Sequence, residues 1–258
     1  MTAALRYEWR RITTVRSTWI CLIIAALVGI GSGLLGYLVS FQTFTPPGDV
    51  TRWYLAVTFL LAITNVLGLV IGAQAIGQEY RFDIIRLTLT AFPYRARILT
   101  AKVLVVIVWA MILGLTTMLA GLLTAAAFGH VLPDGGITGE YWSRLVVSLV
   151  VVVGWALIGF AVACVTKQTA LGIVLPLVWG LVVETALVGI LGSGTSPKLP
   201  WLNYVLPFVN STRAVEVADS GSISVVNQLS GWSALGVFYV WIVAFAVGAY
   251  LLFIKRDA

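Results

Sequence analysis

Six stretches of this sequence are each long and apolar enough to cross a lipid bilayer as a helix, and no motif in it narrows the possible folds as much. At 1.5 Å of rise per residue, about 20 residues cover the ~30 Å hydrocarbon layer. The remaining composition agrees. Apolar residues make up 60% of the 258 and charged residues only 10%, with a mean hydropathy of +1.01, whereas soluble domains carry about a quarter charged residues. The expected fold is therefore an all-α membrane protein, a single transmembrane domain over residues 1–258. Ten tryptophans and a pI near 9.5 need no nucleic acid, because interfacial aromatics and cytoplasmic Lys and Arg produce both.

Residues 1–18 predict an interfacial amphipathic helix, with Leu5, Trp9 and Ile12 on one face and Arg10, Arg11 and Thr14 largely on the other. Arg16 falls on the apolar stripe and must snorkel. Spans are predicted at 19–41, 54–77, 99–128, 145–165, 169–191 and 234–254. The third is long enough to tilt or project, and the fifth contains Pro176, which neighbouring helices make tolerable. The basic start resembles a signal peptide, but the run after Trp19 is too long and lacks a cleavage site, so it reads as a retained span. Pro46 to Asp49 forms a turn and His130 to Arg144 a polar loop, while 193–233, with Pro197, Pro200, Trp201 and Pro207, reads as extracytoplasmic with short or re-entrant helices.

Six spans place both termini on one side. That side carries twelve Lys and Arg (Arg6, Arg10, Arg11, Arg16, Arg81, Arg86, Arg95, Arg97, Lys102, Lys167, Lys255, Arg256) against four on the other (Arg52, Arg144, Lys198, Arg213). The positive-inside rule makes the terminal side cytoplasmic, in the cell membrane.

Most short motifs have plain readings. Gly31 to Gly36 matches G-x-G-x-x-G but lies within a span, without the strand that a dinucleotide site needs. Gly29 with Gly33, and Gly68 with Gly72, form G-x-x-x-G pairs that mark close helix contacts, within one chain or between chains. Gly192 to Lys198 lacks the Gly-Lys-Ser/Thr ending of a phosphate loop. Cys21 and Cys164 read as reduced, packed thiols. The lone His130 has no evident nucleophile beside it, and no residues have metal-ligand spacing, so catalysis in this chain is not expected. Glu184 is the one ionisable residue well inside a span, so it should face a bundle interior or a wet cavity. It serves either a transport pathway, handling substrate or protons, or a structural hydrogen bond to a neighbouring helix. Asn65, Gln74, Thr116 and Thr117 are weaker pathway candidates, for which interhelical bonding is the default.

The stretch from Glu79 to Lys102 interrupts two spans without becoming a domain. On a helical wheel Glu79, Asp83, Arg86 and Thr90 form one polar stripe flanked by Tyr80, Ile84 and Leu87 and by Phe82, Ile85 and Leu89, ended by Pro93. This predicts one surface helix over 79–97, tied to the membrane by Arg95, Arg97 and Lys102. The pattern E-Y-R-x-x-x-I-R-L-T-L-T-A-x-P-x-R-x-R-x-L-x-A-K resembles the first cytoplasmic loop of ABC-2 type transporter permeases, actinobacterial ones in particular. The topology resembles theirs along the whole chain. Where related sequences commonly have His-Gly-Thr, this chain has Phe82, Asp83 and Ile84.

The resemblance implies that the 79–97 segment is a coupling helix docking a separate cytoplasmic ATPase through Glu79, Arg81, Asp83 and Arg86. It further implies that ATP and magnesium are bound by that partner, with no cofactor in this chain, and that two permeases, identical or paralogous, enclose a pathway. The expected function is the permease subunit of an exporter of an amphipathic or hydrophobic substrate, such as a drug, antibiotic, lipid or peptide. A membrane sensor or assembly factor is the alternative, with a membrane-embedded enzyme behind it.

Overall fold

The computed structural model describes residues 2–42, 60–91, 95–128, 139–192, 199, 201–217 and 231–255. The turn at Pro46 to Asp49, His130, and residues 193–198 and 218–230 lie outside them. Thirteen helical segments and no strand occur among the described residues; with the three short segments of 178–192 counted as the continuation of α7, they are α1 (Thr2–Thr14), α2 (Arg16–Gln42), α3 (Leu61–Arg81), α4 (Ile85–Ala91), α5 (Arg95–Ala127), α6 (Gly139–Thr166), α7 (Thr169–Leu177), α8 (Leu202–Val205), α9 (Pro207–Val217) and α10 (Gly231–Lys255). α7 continues into π-helical turns at Val178–Glu184 and Val188–Gly192, so that α2, α3, α5, α6, α7 with its continuation, and α10 supply six helices long and apolar enough to cross a membrane. The chain is an all-α membrane protein.

The bundle is built around α3 and α6. Two thirds of each of these spans is buried (67%), against 17% for the α7 span and 22% for α10, so the latter two present most of their surface outward. Small residues bring the central pair together. Gly68 lies tightly against Val152, while Gly72 lies on the Ala156 carbonyl and Gly159 on that of Leu69, both closer than a Cβ would allow. The other G-x-x-x-G pair acts likewise, Gly29 and Gly33 receiving the α5 backbone at Thr117 and Gly121 and the Thr124 side chain. Both motifs are thus spent on contacts inside one chain, where close backbone approach supplies the packing that drives helix association in lipid. Cys21 and Cys164 are buried and unbridged.

At the basic end the structure departs from the predicted 79–97 helix. α3 runs on to Arg81, a turn occupies 82–84, α4 is only seven residues long, and α5 already starts at Arg95. The turn is a Schellman cap: the Ile84 N–H donates to the Glu79 carbonyl at 3.0 Å and the Asp83 N–H to that of Tyr80 at 3.4 Å, which satisfies orphan carbonyls of the α3 terminus. Asp83, at φ 57°, takes the left-handed position usually given to glycine. It coincides with the glycine of the His-Gly-Thr that the resembled permeases carry, and aspartate tolerates this conformation better than most residues. The stripe of Glu79, Asp83, Arg86 and Thr90 is therefore not one helix face. α5, at 33 residues, is about 50 Å long and overshoots the hydrocarbon.

Beyond α7, α8 and α9 form a bent element. Leu206, extended at ψ 126°, separates them, and Pro207 opens α9 at the position where a missing N–H costs nothing. Leu202, Leu206, Phe208, Ala214 and Val215 are buried. Phe208 packs at a tilt against Trp155 of α6, the ring centroids 4.7 Å apart, and fits against Gly180, while the Trp241 indole of α10 donates to the Val205 carbonyl at 2.8 Å. The element is docked into the bundle rather than loose.

Candidate functional site

Where α1 crosses the ends of α3 and α5, four charged side chains close into a buried quartet. Ala4, Glu8 and Ile12 recur every four residues on α1, one turn apart, and that face turns inward. Lys102 of α5 donates to Glu8 Oε1 at 2.7 Å and also to Glu79 Oε1. Arg11 donates to Glu79 Oε1 and to the Ala75 carbonyl, and its guanidinium lies 3.0 Å from Glu8 Oε2. Lys102 and Glu8 are fully buried and Glu79 is 1% exposed. Two cations and two carboxylates leave no net charge, which is what makes such burial tolerable. Burial pushes the Glu8 carboxyl above its usual range, and the charges of Lys102 and Arg11 oppose that rise without cancelling it.

This arrangement revises several expectations. Glu79, expected on an exposed stripe, is buried: its side chain is turned into the quartet, because α3 persists through it and presents it to α1. Lys102 does not reach for lipid headgroups but lies under α1, and Arg11 faces inward rather than to water. Arg81 and Asp83 are exposed, with the Arg81 guanidinium 5.5 Å over the Phe82 ring. The side chain of Arg86 lies outside the described residues. Glu8 was missed, although its register with Ala4 and Ile12 placed a carboxylate on an apolar face, the available signal.

The turn and α4 form an outward-facing projection beside the quartet. Ile85 and Thr88 are buried and hold it down, whereas Phe82 (63% exposed), Leu87 (70%) and Ile84 (38%) point away. The projection follows Glu79 directly in the chain, so anything bound to it acts on a segment already tied to α1 and α5.

Glu184 is held by three hydrogen bonds at the other polar centre. Its Oε2 accepts the N–H groups of Phe208 and Val209, each at 2.9 Å, and its Oε1 accepts the Trp179 indole N–H at 2.9 Å. Phe208 and Val209 are the second and third residues of α9, so Glu184 caps that helix from another element, where the helix dipole also favours a carboxylate. The π-helical turns align residues five apart, which puts Trp179 beside Glu184. Of the two readings of Glu184, the hydrogen-bonded one is what the geometry displays. Glu184→Ala removes the acceptor of three N–H groups, those of Phe208, Val209 and the Trp179 indole, and should cost about 1–3 kcal/mol for each left unsatisfied, read as a lowered Tm in detergent. Glu184→Gln keeps an acceptor oxygen and should fall between. Wild-type stability in both variants would remove the capping role.

The remaining polar candidates are dispersed. Thr64 of α3 donates to Thr117 of α5 at 3.3 Å, Thr117 also donates to the Leu113 carbonyl, and Thr116 to that of Ile112. Asn65 is buried, its Oδ1 without a hydrogen bond among the described residues. Gln74 accepts from Ser17 at 2.7 Å. None of these bonds to Glu184, and the described residues include no group of His, Cys, Asp and Glu able to hold a metal ion.

Six apolar helices, two of them a glycine-packed central pair, with an amphipathic helix latched across one end by buried charges, make this a multi-pass membrane protein. The family model described as ABC-2 family transporter protein matches residues 3–258, and the chain belongs to that family. It is a permease subunit of an ABC transporter. No curated protein matches the chain.

Proposed function

We propose that this permease subunit belongs to an exporter that carries an amphipathic or hydrophobic substrate out of the cell, powered by a separate cytoplasmic ABC ATPase that binds ATP and magnesium. Two permeases, identical or paralogous, enclose the pathway. The chain resides in the cell membrane with both termini in the cytoplasm, a placement that the twelve-to-four distribution of Lys and Arg supports. Few fixed charges along the spans favour an apolar or amphipathic cargo such as a drug, antibiotic, lipid or peptide.

The observation that carries this reading is the projection at 81–91. Its exposed Phe82, Ile84 and Leu87 lie among Arg81 and Asp83 at the basic end of the bundle, and such aromatic and apolar side chains with a charged rim suit a protein partner. Arg81, Asp83 and Arg86 remain in the proposed docking set; Phe82 and Leu87 join it in place of Glu79. ATP-driven closure of the partner would move the turn, and the quartet would pass the displacement to α1, α3 and α5 together, switching access between two arrangements.

The test is co-expression with the ABC ATPases of the source genome, each in turn, and recovery of the complex in detergent. The wild type should retain one of them; Phe82→Glu with Leu87→Glu should lower its recovery about tenfold or more, with thermal stability unchanged because both side chains are exposed. Undiminished recovery by the double variant would place docking elsewhere. A wild-type chain that never recruits an ATPase would overturn the ATP-driven reading itself.

A further inference from the structure

Two grooves meet on α1 at Arg6, and their chemistries are complementary halves of one ligand. The first, about 310 Å³, runs between α1 and α5 and is lined by Leu5, Arg6, Trp9, Leu104, Val105 and Val108. The second, about 480 Å³, lies on the adjoining face of α1 and is lined by Ala3, Arg6, Tyr7, Arg10, Arg11 and Thr14. One is apolar apart from Arg6, and the other is basic.

The charge on this surface is one-sided because of the quartet. α1 contains a single carboxylate, Glu8, and it is wholly buried against Lys102. Arg6 and Arg10, one turn apart and exposed, form no ion pair among the described residues. The apolar groove opens onto an exposed apolar stripe of α5: Leu104, Val108, Met111, Leu115 and Leu119 are all at least 40% exposed and recur every three or four residues. Leu104 and Val108 lie two and six residues beyond Lys102, about 3 and 9 Å deeper along the helix. Trp9, 5.6 Å from Trp109, walls the groove at the depth where tryptophan prefers the interface.

We infer that this is a binding site for an anionic phospholipid, its phosphate held between Arg6 and Arg10 and one acyl chain laid along Leu5, Trp9, Leu104 and Val108. A free phosphate would satisfy the arginines but leave the apolar groove empty, whereas a zwitterionic lipid would fill the groove and bring a cation toward Arg6. An anionic lipid satisfies both halves. Bound there, it bridges α1 to α5 on the lipid side as the quartet bridges them on the protein side. The site does not depend on the ATPase reading.

The experiment uses the full-length chain in phosphatidylcholine nanodiscs and detergent micelles, with phosphatidylglycerol and phosphatidylcholine of identical acyl chains, and inorganic phosphate as a separate arm. Retained lipid is read by native mass spectrometry and stability by thermal unfolding. Phosphatidylglycerol should be retained in preference and should raise Tm, with inorganic phosphate inert. Each arginine near an anionic headgroup strengthens binding by about fivefold, so Arg6→Gln with Arg10→Gln should weaken phosphatidylglycerol binding by roughly 25-fold while its Tm in phosphatidylcholine alone stays that of the wild type. Leu104→Trp, which fills the groove and leaves the arginines, should also lose retention. Equal retention of the two lipids, stabilisation by inorganic phosphate alone, or full retention by the Leu104→Trp chain would each overturn the site.

Discussion

Lys102→Met should be among the most destabilising single substitutions in this chain. It leaves Glu8 and Glu79 buried with only Arg11 between them, and removing one partner from a buried ion pair costs about 3–5 kcal/mol. At roughly 2–4 °C per kcal/mol for a chain of this size, the fall in Tm in detergent should be on the order of 10 °C. Loss of α1 docking should accompany it, seen as faster proteolysis near residues 2–14. Because the penalty comes from the stranded carboxylates, Glu8→Gln introduced with Lys102→Met should recover part of the loss. A Lys102→Met chain as stable as the wild type would mean that the quartet is not formed in the membrane.

Gly72→Ala should be comparably damaging for a different reason. The added methyl would overlap the Ala156 carbonyl, which is backbone and cannot rotate away, so α3 and α6 must separate along the core of the bundle. Overpacking typically costs about 1–3 kcal/mol, and in lipid, where dispersion between close-packed backbones drives association, the loss of neighbouring contacts adds to it. Gly248→Ala is the control: a Cβ there meets nothing within 4 Å, and replacing a helical glycine by alanine gains up to about 1 kcal/mol. Tm should fall for the first and hold or rise for the second. Equal responses would remove the contact.

The two substitutions also separate what could be read in advance from what could not. Gly68 and Gly72 announce a close contact through their spacing alone, yet that they meet Val152 and Ala156 of the same chain, and not a second permease, follows from how α6 returns beside α3. Glu184 announces itself as a buried carboxylate in an apolar run, but its partners, Phe208 and Val209, follow a proline-rich segment whose fold has no periodicity to read. At the basic end the helical wheel failed for a local reason. It assumes an unbroken helix, and Asp83 in the left-handed conformation ends α3 without the glycine that usually signals such a cap. The wheel therefore put Glu79 with Asp83 on an outward stripe, when Glu79 belongs to α3 and faces α1.

From the chain alone, the number of spans and the all-helical class follow, because a run of about 20 apolar residues selects lipid as its solvent and lipid leaves the backbone no partner but itself. Those are properties of each segment taken singly. The quartet joins residues 94, 68 and 23 positions apart, and whether they meet depends on the rotation of each helix about its axis relative to the others. Local periodicity carries no such term; packing supplies it, through glycines that set the α3–α6 distance and a helix end that turns Glu79 inward.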